Sequence, residues 1–174
     1  FSNDAIRMSA RSLPATDKNV ERAINLINRQ KGGGGTELAP ALEKAVGIPM
    51  DSGAGSVSRS VVVITDGYMS DEQAIFDIVA GNLDTTSFFS FGIGTSVNRY
   101  LIEGIARTGG GESFVVTDSS ESADTARLFD TYIQSPVLTD VQVDYDGFDA
   151  YDVEPTAIPT LFAQKPIVLF GKWR

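Results

Sequence analysis

The chain has 174 residues, of which 42% are hydrophobic, and its 14 basic and 23 acidic residues give a formal net charge of −9. This length and composition predict about one globular domain, and the negative charge disfavours nucleic acid or an anionic membrane as a partner and favours a cation as ligand. The sequence contains no cysteine and no histidine, which excludes disulfides, thiolate and Ser-His-Asp nucleophiles, and the usual zinc sites. A bound metal would have to be a hard ion held by oxygen atoms.

The start of the chain, "FSNDAIRMSA", has no basic segment, no long apolar segment and no initiator methionine, so it does not match a signal peptide. No apolar run approaches the roughly 18 residues that cross a bilayer, and we expect no membrane insertion in this segment. We expect the chain to be an excised part of a longer protein.

Two helices are predicted before the first strand. The first begins near Thr16 or Asp17 and is ended by the glycines from Gly32, and the second follows Thr36 and cannot continue beyond Pro49. Apolar residues recur at helical spacing in both, namely Val20, Ala23, Ile24 and Ile27 in the first and Leu38, Leu42, Ala45 and Val46 in the second.

Strands and helices then alternate. The continuous apolar runs "SVVVIT" and "TTSFFSFGIG" predict strands that are buried on both faces, and "ESFVV" predicts a third strand. A helix capped by Asp71, a helix over 97–107 that "GGG" ends, and a helix over about 121–134 that Pro136 ends are predicted between and after them. This alternation predicts a doubly wound, mostly parallel α/β sheet with helices on both faces.

The pattern changes after Pro136. Strict alternation of apolar and polar residues over 137–145 predicts a strand with one wet face, and "FDAYDVEP" and "PIVLFGKW" predict two more. We therefore divide the chain into an α/β domain, residues 1–136, and a small antiparallel β appendage, residues 137–174, which would be part of a neighbouring β domain.

Two oxygen donors are predicted at one edge of the sheet. Asp66 directly follows the strand "VVVIT", and Thr36 stands where four glycines meet a helix. Ligands of open α/β sheets bind at the carboxyl ends of the strands, and a carboxylate with a hydroxyl suits Mg²⁺ or Mn²⁺. Taken singly, Thr36 also fits a helix N-cap and Asp66 a turn residue.

The stretches "GGGGTEL", "VVVITDG" and "SFGIGTSVNRYLIEGIARTGGG" resemble a von Willebrand factor type A domain, and above all that of inter-alpha-trypsin inhibitor heavy chains and related bacterial surface proteins. That family's metal ion-dependent adhesion site combines an Asp-x-Ser-x-Ser turn, a threonine in a Gly-rich loop and an aspartate that ends a later strand. The resemblance implies that Thr36 is the threonine of this metal site and that Asp66 is its strand-ending aspartate. It also implies a non-enzymatic adhesion module, secreted or at the cell surface, in which a carboxylate of a protein partner completes the shell of Mg²⁺ or Mn²⁺.

The first part of that site is expected to be missing, so we expect a divalent-cation site that is complete in the intact parent protein and incomplete in this chain. "DSSES" at 118–122 formally matches this first part but follows the third strand, where a helix cap is the better interpretation, and "DSGAGS" at 51–56 is the other candidate. By the resemblance, the absent first strand lies in the middle of the family's sheet. We therefore expect an unpaired edge at 61–64, filled by a strand from beyond Pro136 or by a second copy of the chain in a homodimer.

Enzymatic alternatives each lack a residue. "GGGGTE" has no P-loop lysine, and "GIGTSV" ends in valine where a dinucleotide-binding motif needs glycine. A phosphatase resembling haloacid dehalogenases would use Asp66 as nucleophile, but Tyr68 stands where its second aspartate belongs. This phosphatase and a metal-independent structural scaffold remain the alternative functions.

Overall fold

The computed structural model describes residues 4–30, 34–49, 59–66, 71–134, 136–138, 141–156, 158, 160–162 and 166–174. Within these ranges the helices are α1 (Asp17–Arg29), α2 (Leu38–Val46), α3 (Glu72–Ala80), α4 (Arg99–Thr108) and α5 (Ser122–Ile133). The strands are β1 (Arg59–Thr65), β2 (Thr86–Ile93), β3 (Gly110–Val116), β4 (Pro136–Leu138), β5 (Ala150–Glu154), β6 (Leu161–Phe162) and β7 (Phe170–Trp173). None of the described helices is long and apolar enough to cross a membrane.

The central sheet is parallel and has the strand order β1, β2, β3. Helices α2, α3 and α4 pack on one face around Val63 and Phe88, and α5 packs on the other face around Phe89, Phe91 and Phe114. All of β2 except Ile93 is buried, because both cores cover it. The predicted doubly wound α/β architecture is confirmed.

Side-chain caps set the starts of three helices, and each was predictable from the residue type. Thr16 accepts a hydrogen bond from the backbone N–H of Asn19 at 3.4 Å, and Asp71 accepts one from Ala74 at 3.4 Å. Asn98 does the same for α4 through the N–H of Leu101. The helix starts predicted at Thr16 and Asp71 are therefore confirmed.

Strand β1 departs from the prediction, because only one of its faces is buried. Val63 is 3% exposed against the α2–α4 core, whereas Val62 is 39% and Ile64 is 58% exposed. The prediction of burial on both faces is wrong for β1 because α5 covers β2 and β3 but leaves these two side chains open. Helix α1 buries no residue either, and its Val20, Ile24 and Ile27 are exposed.

The segment after Pro136 is antiparallel, as predicted, but its strands differ. β4 pairs with β6 and β5 pairs with β7, in two separate two-stranded sheets. The predicted strand over 137–145 is wrong for residues 141–145, which lie outside any described ladder, and residues 139 and 140 are outside the described part of the chain. The expectation that one of these strands fills the edge of β1 is also wrong for the described strands, since each of them pairs within the appendage.

Candidate functional site

Helix α2 and strand β1 run antiparallel, and Arg59 holds their adjoining ends together. The guanidinium of Arg59, at the start of β1, donates hydrogen bonds to the backbone carbonyls of Val46 and Ile48, at and just after the end of α2. Leu38, the first residue of α2, and Val63, near the end of β1, belong to one buried cluster. The start of α2 and the end of β1 therefore lie at the same edge of the sheet, the carboxyl edge.

Thr36 lies two residues before α2 and is half-buried. The N-cap of α2 is Glu37, and no side chain caps this helix end. The interpretation of Thr36 as the N-cap is therefore wrong, because α2 begins one residue later than that role requires. Gly34 has φ 91°, a left-handed conformation that glycine adopts without strain.

Asp66 directly follows β1 and is exposed. Its carboxylate accepts no hydrogen bond from any described residue, although residues 67–70, which include Gly67 and Tyr68, lie outside the described part of the chain. The interpretation of Asp66 as a turn residue therefore stays a prediction. The fold brings its carboxylate and the hydroxyl of Thr36 to the same edge of the sheet.

A further polar contact at this edge was not predicted. Asn98, which is 9% exposed, donates through Nδ2 to Oε1 of Glu72 at 3.0 Å and so links the starts of α4 and α3. Sequence reasoning missed the pair because the two residues are 26 positions apart and meet only when the helices pack side by side. The only local signal was an asparagine before a helix, which predicts a cap but no partner.

The donor set fits a hard cation in part. Mg²⁺ takes oxygen ligands, keeps several waters and usually binds one or two carboxylates, which agrees with one hydroxyl and one carboxylate. Among the described residues, no three or more acidic side chains are grouped so that they could hold a metal ion. Thr36 and Asp66 thus offer a partial ligand set with one formal charge.

The stretch 118–122 forms a cap, as its position after the third strand indicated. Asp118 accepts a hydrogen bond from the N–H of Ser120 at 2.8 Å, and Glu121 accepts one from the N–H of Asp118 at 3.4 Å. These reciprocal bonds form a capping box at the short 3₁₀ turn Ser119–Glu121 that leads into α5. The hydrogen bonds from Ser120 hold the pKa of Asp118 below its usual value. The other candidate, 51–56, lies outside the described residues.

A parallel sheet with helices on both faces and oxygen donors at its carboxyl edge defines a doubly wound, Rossmann-like α/β domain. The family model described as von Willebrand factor type A domain matches residues 1–130, and the chain belongs to this family. The predicted resemblance is thereby confirmed.

Similar proteins agree with this assignment. The chain is 27% identical over 172 residues to a von Willebrand factor A domain-containing protein of Dictyostelium discoideum, with 98% of this chain and 18% of the relative covered. It is 26% identical over 182 residues to inter alpha-trypsin inhibitor, heavy chain 4 of Mus musculus, with 99% and 19% covered. The chain therefore spans about a fifth of the length of these curated relatives.

Among solved structures, the chain is similar to a von Willebrand factor type A protein from Catenulispora acidiphila, with a TM-score of 0.58 and 18% identity. The match covers 71% of this chain and 29% of that one. At this level of identity the similarity supports the fold alone.

Proposed function

We propose that this chain is a non-enzymatic protein-binding module of the adhesion type, to which Thr36 and Asp66 contribute ligands for a divalent cation. The observation that carries the proposal is the antiparallel arrangement of α2 and β1, which brings the hydroxyl and the carboxylate to one edge. Among the described residues, Thr36 does not cap α2, and none donates a hydrogen bond to the carboxylate of Asp66.

The roles of the two residues differ. The carboxylate of Asp66 supplies the negative charge that attracts the cation, and the neutral hydroxyl of Thr36 adds a donor without adding charge. Mg²⁺ or Mn²⁺ bound here would supply an open coordination position for a carboxylate of a protein partner. The net charge of −9 favours such cation-mediated contact over direct attraction to an acidic partner. We place this activity at the cell surface or outside the cell, on the resemblance to inter-alpha-trypsin inhibitor heavy chains.

The test is a thermal melt of the chain in Mg²⁺, in Mn²⁺ and in EDTA. A cation that binds only the folded state raises its stability by about 2.7 kcal/mol at a hundredfold excess over Kd. We expect this increase in the wild type, and we expect Asp66→Asn and Thr36→Val to reduce it while leaving the melting temperature in EDTA unchanged. Asp84→Asn is the matched control, because Asp84 is also exposed but lies before β2, at the amino edge of the sheet.

The outcomes separate the candidate functions. A melting temperature that is the same in Mg²⁺, Mn²⁺ and EDTA would contradict the cation site and favour the metal-independent scaffold. A cation effect that persists in Asp66→Asn would place the ion elsewhere. Release of phosphate from p-nitrophenyl phosphate by the wild type, lost in Asp66→Asn, would favour the phosphatase alternative.

A further inference from the structure

A cavity lies at the amino edge of the sheet, opposite Thr36 and Asp66. Its walls come from the ends of α3 and α4, the start of β3, and the segments around β6 and β7, and its volume is about 570 Å³. Small-molecule sites in proteins commonly have volumes of roughly 300–1,000 Å³. The cavity therefore has the size of a ligand site, and it is spatially distinct from the proposed cation site.

The floor and walls of the cavity are mainly apolar. Leu83, after α3, and Phe162, in β6, are 5% and 4% exposed, so they form a buried apolar floor. Val168 and Phe170 also line the cavity but are 55% and 72% exposed, so they lie toward its mouth. An apolar ligand in this cavity would bury its own apolar surface against the floor. It would also cover the side chains of Val168 and Phe170, which are now open to solvent.

Two opposite charges line the same cavity. Arg107 is in the last turn of α4 and Glu154 ends β5, and both side chains are exposed. Among the described residues they form no ion pair with each other, and neither side chain forms a hydrogen bond. An apolar cavity with one separate cation and one separate anion is complementary to a ligand that carries both charges on an apolar body.

We propose that this cavity binds a short apolar peptide with free termini. The carboxylate of the peptide pairs with the guanidinium of Arg107, its ammonium group pairs with the carboxylate of Glu154, and its side chains cover Leu83 and Phe162. A fatty acid would pair with Arg107 but leave Glu154 without a ligand partner, and an apolar amine would do the reverse. Charge-assisted contacts of this kind are the strong hydrogen bonds of protein sites.

The test uses dileucine and its two blocked forms, N-acetyl-dileucine and dileucine amide. Calorimetric titration measures the affinity, and the fluorescence of Trp173, the single tryptophan of the chain, reports on β7 three residues beyond Phe170. We expect saturable binding of dileucine and at least tenfold weaker binding of each blocked form.

Charge-removing variants identify the partner of each terminus. Arg107→Gln should bind dileucine and dileucine amide with equal affinity. Glu154→Gln should bind dileucine and N-acetyl-dileucine with equal affinity. Arg29→Gln, in the last turn of α1, and Glu103→Gln, on the exposed side of α4, are matched controls that should keep the wild-type preferences. The proposal is overturned if dileucine does not bind saturably, if the blocked forms bind as well as the free peptide, or if the two variants keep the wild-type selectivity.

Discussion

Asp118 shows how a single side chain can match a metal-ligand motif and instead cap a helical turn. Its carboxylate accepts a hydrogen bond from the N–H of Ser120 while its own N–H donates to Glu121, so both ends of the residue are used in the turn before α5. Thr36 shows the opposite case, because its position suggests a cap and the helix begins without using it. Residue type alone therefore does not show whether a side chain caps a helix, whereas the hydrogen-bond partners do.

The capping box predicts a specific dependence of stability on pH. Hydrogen bonds from Ser120 lower the pKa of Asp118 in the folded chain below its ordinary value of 3.8. The ionised carboxylate is thus favoured by folding, and its contribution is present above pH 3.8 and is lost as the pH falls through the lowered pKa. We expect Asp118→Asn to be less stable than the wild type near pH 7, with the difference shrinking as the pH falls below 3.8. Thermal melts across this range check the trend, and a difference that does not change with pH would contradict it.

At the scale of elements, sequence patterns over a few neighbouring residues predicted the helices and strands that depend on those residues alone. The five helices and the three strands of the parallel sheet follow from apolar periodicity and from caps such as Asp71, which act within one turn of chain. The exposed face of β1 was not predictable, because an apolar run such as "VVVIT" indicates burial without showing which neighbour covers each face. The prediction of a strand through 141–145 was wrong for the same reason. Alternation of apolar and polar residues does not show whether another strand is in place to pair with it. The placement of Thr36 and Asp66 at the carboxyl edge could be predicted from their positions in the sequence, but the contact between Asn98 and Glu72 depends on helix packing.

The open face and edge of β1 predict self-association, as expected of unpaired strands. No described strand pairs with β1 on the side away from β2, and Val62 and Ile64 are exposed. We expect the wild type to sediment as a concentration-dependent dimer, and Val62→Lys to remain monomeric because a lysine on an edge strand opposes pairing. Val20→Lys, on the exposed stripe of α1, is the control that should still dimerise. A wild type that stays monomeric at high concentration would rule out this dimer.

At the scale of the whole molecule, Phe162 joins the appendage to the α/β unit. Its ring is 4% exposed and meets the ring of Phe89 edge-on at 5.4 Å, inside the core that α5 covers. β6 has two residues, too few for any periodic signal, so sequence reasoning missed the strand that makes this connection. The appendage thus shares a hydrophobic core with the sheet, although the boundary predicted between residues 136 and 137 treats the two as separate domains.

Phe162→Ala tests how strongly the two parts depend on each other. Removing a buried phenylalanine typically costs about 3–5 kcal/mol, and we expect a loss of that size with a single unfolding transition in urea. Phe170→Ala removes a ring that is 72% exposed and should change stability by less than about 0.5 kcal/mol. A small effect of Phe162→Ala, or two transitions in the wild type, would instead support two units that fold independently.

The unequal burial of α1 and β2 has a consequence for the order in which the chain opens. Amide protons of β2 are enclosed by two cores and should exchange with solvent only when the whole domain unfolds, whereas α1, which buries no side chain, should exchange through local opening. Thr36 follows the glycines between α1 and α2 in the sequence, and Asp66 directly follows β1, the strand paired with β2. The two proposed ligands therefore adjoin elements of intermediate burial, because α2 buries Leu38 and Leu42 and β1 has one buried and one open face. A cation held by both should slow amide exchange at the start of α2 and at the end of β1, because it would oppose local opening of both.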